Sequence, residues 1–212
     1  MLERYPYWTD WKQVCWSDEC YWGWGPYGTL RIIRKPGIRR CADCVQQERE
    51  PKEKDMKRLY TWSAVGWEFK GDLIFYDAGN SNGKMSQRVY IDQILDPVVK
   101  EWLKGPRFVL EEDGDSGHGT SMYNIVRTWK KEHKLESYFN CSNSPDLSII
   151  ENCWQAPKQA LYKTPHWDDI TTKEVIIEAW NSIPQSFIDN SIKTIPDRYK
   201  AIIKGDGQMT AY

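Results

Sequence analysis

Three acidic residues stand where their carboxylates can meet. Asp18 follows the apolar run Val14-Cys15-Trp16-Ser17, Asp113 follows Phe108-Val109-Leu110, and Glu151 falls in the first turns of a helix opened by Ser144-Pro145. Carboxylates at two adjacent strand ends, faced by a third from a helix, converge on one point. At roughly 4 Å and an effective dielectric of about 20, each such pair repels by about 4 kcal/mol. All three therefore stay ionised together only around cations. Oxygen donors without a histidine or cysteine set favour Mg²⁺ or Mn²⁺. Two such ions about 3.5–4 Å apart clamp the attacking and leaving oxygens of a phosphodiester displacement.

Each acid also has a local use, and the residues alone leave both readings open. Asp18-Glu19 fits a strand-end turn, and Asp113-Gly114 is a common turn pair. Glu151 stands three residues after Ser148, the spacing at which a glutamate satisfies a backbone N–H at a helix start.

The elements that would hold these acids follow from periodicity. Strands are predicted at 14–17, 30–34, 61–67, 73–76, 108–111 and 138–139, with a glycine- and aromatic-rich turn at 21–28. Ile91, Leu95, Val98 and Trp102 form one helical stripe, which Pro97 should bend or restart. Met122, Ile125, Val126 and Trp129 form another, and from 144 onward everything reads as helix. Thr171 and Glu174 have capping-box spacing, and Pro196 and Gly205 bracket a last helix. Strands alternating with helices before a helical C-terminal half predict one α/β domain over 1–212, with a charged insertion loop at 35–60 and C-terminal helices over 171–212.

Composition bounds the rest. The 212 residues are 40% hydrophobic, enough for one core, and no apolar run is long enough to span a membrane. The N-terminus lacks a secretory pattern, so the chain is expected inside the cell. A net charge of −1 is not the profile of a strong DNA binder, although Arg31, Arg34, Lys35, Arg39 and Arg40 cluster as a possible phosphate contact or a solubilising surface. The 12 tryptophans are scattered rather than repeated, which marks most of them as core anchors.

Trp16-Ser17-Asp18-Glu19 and Arg34-Lys35-Pro36-Gly37 resemble two boxes of the Tc/mariner transposases. Phe108 to Asp113, with His118 five residues on, is similar to the second-acid strand of that family. Ser144-Pro145-Asp146-Leu147 with Ile150-Glu151-Asn152 and Trp154 resembles its third-acid box. The 37 residues between Asp113 and Glu151 are close to its spacing, and Ile195-Pro196-Asp197-Arg198 resembles its C-terminal helix. Ser148-Ile149 departs from the usual Asn-Pro, and Asp115 competes with Asp113 as second ligand. The resemblance implies an RNase H-like fold, a mixed sheet flanked by helices. It also implies DNA cleavage and strand transfer in the nucleus, with Asp18, Asp113 and Glu151 as catalytic metal ligands for Mg²⁺ or Mn²⁺, two ions in all. DNA is the implied partner, with a second copy or a full-length transposase beside it. His118 would orient DNA or the metal shell, or simply cap a helix.

Only 17 residues precede Asp18, where that family carries paired helix-turn-helix domains. The expectation is a catalytic core without its recognition module; the alternative is a non-catalytic remnant that binds DNA or protein.

The six cysteines are expected to be thiols. Cys41 and Cys44 form a lone pair without the second pair that a zinc site needs. Purified protein should therefore hold no stoichiometric zinc. About one tightly held zinc per chain by elemental analysis, lost in Cys41→Ser, would contradict this.

Overall fold

Alternating burial along the first strand organises the molecule. In the computed structural model, which describes residues 1–23, 58–80, 83–120, 122–141, 144–164 and 168–205, strand β1 covers Val14–Gly23. Val14, Trp16, Cys20 and Trp22 enter one hydrophobic core, while Cys15 enters a second. A period of two sends successive side chains to opposite faces, so β1 is covered on both sides.

Its neighbours complete a mixed sheet. β2 (Arg58–Gly66) pairs antiparallel with β1, from Cys15 opposite Gly66 to Gly23 opposite Arg58. Both β3 (Phe69–Lys70) and β4 (Ile74–Tyr76) pair antiparallel with β2. On the other side β5 (Val109–Glu112) runs parallel to β1, and β6 (Glu136–Phe139) parallel to β5. The order is β3-β2-β1-β5-β6, with β4 beside β2.

Parallel neighbours require crossover connections, and these are helical. One is a rod of α1 (Gln87–Tyr90), a π-wound stretch Ile91–Val99 and α2 (Lys100–Trp102); the other is α3 (Ile125–Glu132). Rod and α3 supply Tyr90, Ile94, Leu95, Val99, Val126 and Trp129 to the second core. Five helices cover the opposite face: α4 (Ile149–Cys153), α5 (Gln155–Lys163), α6 (Asp169–Asn181), α7 (Gln185–Lys193) and α8 (Ile195–Lys204). Trp154, Trp180, Ile188 and Ile195 pack there against Trp11, Trp16 and Trp22. The anchoring role expected for the tryptophans holds for Trp11, Trp16, Trp22, Trp62, Trp154 and Trp180, all fully buried. Among the described residues no helix is long and apolar enough to cross a membrane.

Several local expectations are corrected. β1 does not end at Asp18 but continues to Gly23, so Tyr21–Gly23 are strand rather than turn. Nine consecutive pairings with β2 hold it extended past the acids. Pro97 does not restart its helix, because the π-wound stretch carries the chain through it. π winding shifts hydrogen-bond partners along the chain, so a residue without an N–H is accommodated. Met122 stays outside α3 and is exposed, since Asn124 caps the helix by accepting from the Arg127 N–H. Helix α6 is capped not by Thr171 but by Asp168, whose carboxylate accepts from the Thr171 N–H at 2.8 Å and its hydroxyl at 3.0 Å. Arg58–Tyr60, placed in the insertion loop, belong to β2. The expected strand at 30–34, the basic segment at 31–40 and the Cys41/Cys44 pair lie outside the described residues.

The helical face is tied to the sheet by one lysine. Lys70 Nζ donates to the carbonyls of Trp180 at 3.0 Å, Asn181 at 3.1 Å and Ile183 at 2.7 Å, where α6 ends. Trp180 returns a bond to the Gly71 carbonyl at 3.0 Å. Lys70→Met keeps the aliphatic stem but leaves helix-end carbonyls without a donor, and should lower stability by about 1–3 kcal/mol. Urea denaturation checks this; a loss below about 0.5 kcal/mol, the lower end for one hydrogen bond, would mean that water replaces the ammonium.

Candidate active site

The parallel register of β1 with β5 pairs Trp16 with Glu111, which carries Asp18 toward Asp113 two residues further along both chains. Helix α4 packs on β1 and brings Glu151 from its first turn. The three expected acids line one cleft of about 420 Å³, together with Glu111, Asp115 and Ser148. A second cleft, of about 570 Å³, shares Asp18 and Glu151 and extends along α5.

Residues of the third-acid box fix this arrangement. Trp154 Nε1–H donates to Asp18 Oδ2 at 2.9 Å, linking α4 to the centre of β1. Arg198, buried on α8, donates to the Asp146 carbonyl at 2.8 Å and to Asn152 Oδ1 at 3.1 Å, so the C-terminal tail clamps the box from behind. Ser148 precedes α4 without capping it. Its hydroxyl instead donates to Glu111 Oε2 at 3.2 Å, so the capping-box use of Glu151 does not arise.

Electrostatics separates the two faces of β1. Burial pushes the Asp18 carboxyl well above the usual range, and the charges of Glu19 and Glu151 push it further, against the Trp154 hydrogen bond. Among the described residues neither Asp18 nor Glu151 joins an ion pair. Buried Glu111 is likewise held well above the carboxylate range, first by burial and despite the Ser148 bond.

Glu19 also borders the larger cleft, and its carboxylate reaches His118, which bridges it to Asp113. Nδ1 lies 2.7 Å from Asp113 Oδ1 and Nε2 lies 3.0 Å from Glu19 Oε1. Burial alone would depress the imidazole, but the Glu19 charge and the bonds to Asp113 and Glu19 outweigh it and hold His118 protonated well above its ordinary value. The His118 bond in turn holds Asp113 below its ordinary value, against partial burial. Tyr90 packs edge-on to the imidazole at 4.8 Å and donates to Glu112 Oε1 at 2.7 Å, while Lys130 pairs with the other oxygen of Glu112.

The ligand atoms of Glu19, Asp113 and His118 lie within 4.8 Å of one another, so this trio is also a possible metal cluster. In that trio the imidazole already bridges Glu19 and Asp113, whereas among the described residues Asp18 and Glu151 pair with no cation. Uncompensated, oxygen-only donors in one cleft fit Mg²⁺ or Mn²⁺. Burial pushes the thiols of Cys15, Cys20 and Cys153 up to about 12, which disqualifies them as nucleophiles.

Asp115, the competing ligand, lines the cleft but is engaged locally. Its Oδ1 accepts from the Gly117 N–H at 2.8 Å, capping the short 3₁₀ turn Ser116–His118. Asp113 Oδ1 also accepts from the Asp115 N–H at 3.0 Å, so the local turn and the convergence at the cleft coexist. Within that turn Gly117 is pressed against the Met85 carbonyl, with no room for a Cβ. Glu19, Glu111, Glu112 and Lys130 were not picked out from sequence. For Glu19 the signal was present, since it neighbours Asp18 on a strand whose period of two sends it toward the histidine face.

No family model matches the chain. It is 28% identical over 207 residues to the transposable element Tcb1 transposase of Caenorhabditis briggsae, covering 96% of this chain and 71% of that protein. It is 29% identical over 128 residues to the Tc1 transposase of Caenorhabditis elegans, covering 59% of this chain and 46% of that one. Among solved structures, the Mos1 transposase paired-end complex with left transposon end superposes with a TM-score of 0.75 at 16% identity, over 98% of this chain and 59% of that one. The catalytic domain of Mos1 mariner transposase gives 0.70 at 13% identity, over 99% and 89%. The fold is thus the expected mixed sheet flanked by helices.

His118→Ala removes the imidazolium that separates Glu19 from Asp113 and should destabilise the protein by about 1–3 kcal/mol. Glu19→Gln, which keeps an acceptor for Nε2–H, should cost less. Thermal denaturation of both variants checks the order; an unchanged His118→Ala would show that the bridge contributes nothing to stability.

Proposed function

We propose, from the premise that this chain's relatives and fold are those of the Tc/mariner transposases, that it is the DNA-cleaving and strand-transferring core of such an enzyme. The observation that carries this reading is that three carboxylates, from β1, the end of β5 and α4, line one cleft, with no ion pair among the described residues at Asp18 or Glu151. We assign Asp18, Asp113 and Glu151 as ligands of two Mg²⁺ or Mn²⁺ ions. Bound there, the ions would activate the attacking hydroxyl and stabilise the departing oxygen.

The chain's own residues prepare that geometry. Trp154 holds Oδ2 of Asp18, which lines the cleft. His118 and the Asp115 N–H both engage Oδ1 of Asp113, which leaves Oδ2 free to ligate. Arg198 fixes the segment that carries Glu151. In the first reaction a water oxygen bonds to phosphorus as the bridging P–O bond breaks, giving a 3′-hydroxyl and a 5′-phosphate. In the second that 3′-hydroxyl attacks a target phosphodiester and releases another 3′-hydroxyl, without a covalent enzyme intermediate. DNA is the substrate, the nucleus the compartment, and a second copy or a full-length transposase the partner that would bring two DNA ends together.

Calorimetry with Mn²⁺ tests the assignment. Asp18→Asn, Asp113→Asn and Glu151→Gln should each weaken binding strongly, and Asp115→Asn less, because its carboxylate caps a turn. Equal binding by wild type and the triple variant would sink the assignment; a larger loss at Asp115 would move only the second ligand.

A further inference from the structure

Two clefts meet at Asp18 and Glu151, and among the described residues only the larger brings basic side chains to that pair. The smaller holds only acids as charged groups: Glu111, Asp113 and Asp115 beside the shared pair. The larger has one further acid, Glu19, and sets Lys158, Gln159, Tyr162 and Lys163 of α5 beside it. A metal-loaded reaction centre with a polyanionic substrate needs such a division, because the strand must reach the centre without crossing a field of bare carboxylates. We infer that the α5 cleft seats the DNA strand that flanks the scissile phosphate, with Lys158 and Lys163 on its phosphates and Tyr162 stacked on a base. This rests on the proposed function and adds to it the side from which substrate enters.

The residues suit the task. Lys158 and Lys163 are exposed, and among the described residues they form no ion pair. An exposed lysine without a carboxylate partner is free to release counterions from a phosphate. Lys158 lines the same cleft as Asp18 and Glu151. Five residues of helix separate the lysines by about 7.5 Å along the axis, roughly two nucleotide steps at about 3.4 Å per strand.

Tyr162 lies one turn beyond Lys158, on the same face, and 69% of it is exposed. Tyr21, also on the lining and 56% exposed, has the Arg58 guanidinium over its ring at 4.9 Å. Aromatic faces beside a cationic track form the pattern that holds single nucleic-acid strands. Buried Pro157 and Leu161 pin the other face of α5 to the core, so the track is rigid.

The test measures DNA affinity against salt with a metal-free oligonucleotide duplex carrying a single-stranded overhang. Lys158→Ala/Lys163→Ala should flatten the slope of log K against log salt by about 1.4 to 1.8, from 0.7 to 0.9 per phosphate contact. Tyr162→Ala should lower affinity about tenfold with the slope unchanged. Lys100→Ala/Lys104→Ala, at the far end of the helical rod, should change neither. All variants should keep wild-type thermal stability and Mn²⁺ affinity. An unchanged slope in the α5 double variant, or an equal fall in the control, overturns the inference. Absence of Mn²⁺ binding by the wild type would overturn the catalytic reading instead, and the two failures are told apart because DNA binding is measured without metal.

Discussion

Asp18, Glu19, Glu111, Glu112 and Asp113 crowd the line where β1 and β5 run side by side, and their neighbours are arranged around that negative charge. Glu112 is buried against Lys130 and Tyr90. Glu19 and Asp113 share one imidazolium. Glu111, sealed from water and bonded by Ser148, is held toward its neutral form. Unpaired charges in such surroundings would cost several kcal/mol each, and Lys130, His118 and Ser148 offset that cost. What remains is Asp18 with Glu151, whose repulsion no side chain among the described residues relieves. Glu112, Glu19 and Asp113 thus have cationic partners, whereas among the described residues Asp18 and Glu151 have none in an ion pair.

That division follows from a period of two. Asp18 and Glu19 are adjacent in sequence yet belong to different networks, one through Trp154 to α4 and the other through His118 to the loop after β5. Asp113 joins both: it is bonded to the histidine and lines the cleft with Asp18 and Glu151. The two hydrophobic cores, one under the helices after residue 144 and one under the rod and α3, hold these networks from opposite sides.

Much of this was legible in the residues. The apolar runs located the strands, and the boxes around Asp18, Asp113 and Glu151 identified acids that share one cleft. Less legible was how far an element extends or which polar group satisfies which. β1 was cut short because Asp18-Glu19 has turn composition, and only pairing with β2 keeps it extended. The Ser148 and Thr171 caps failed for one reason: another partner was better placed, Glu111 for the first and Asp168 for the second. Sequence spacing reports local opportunities for a hydrogen bond, whereas distant groups compete for the same atoms. Glu112 and Lys130 escaped notice because a charged pair sealed inside the fold looks, in a sequence, like any two surface residues.

Gly117 has a bearing on how such a protein is lost over generations. A Cβ there would run into the Met85 carbonyl, inside the turn that carries His118. A missense change at the first or second base of its codon introduces a side chain there, and the turn would have to open. A gene could thus fall silent while every acid of the cleft is still encoded. Intact acids alone are therefore a poor mark of a living copy, and this glycine, which carries no chemistry of its own, is a sharper one.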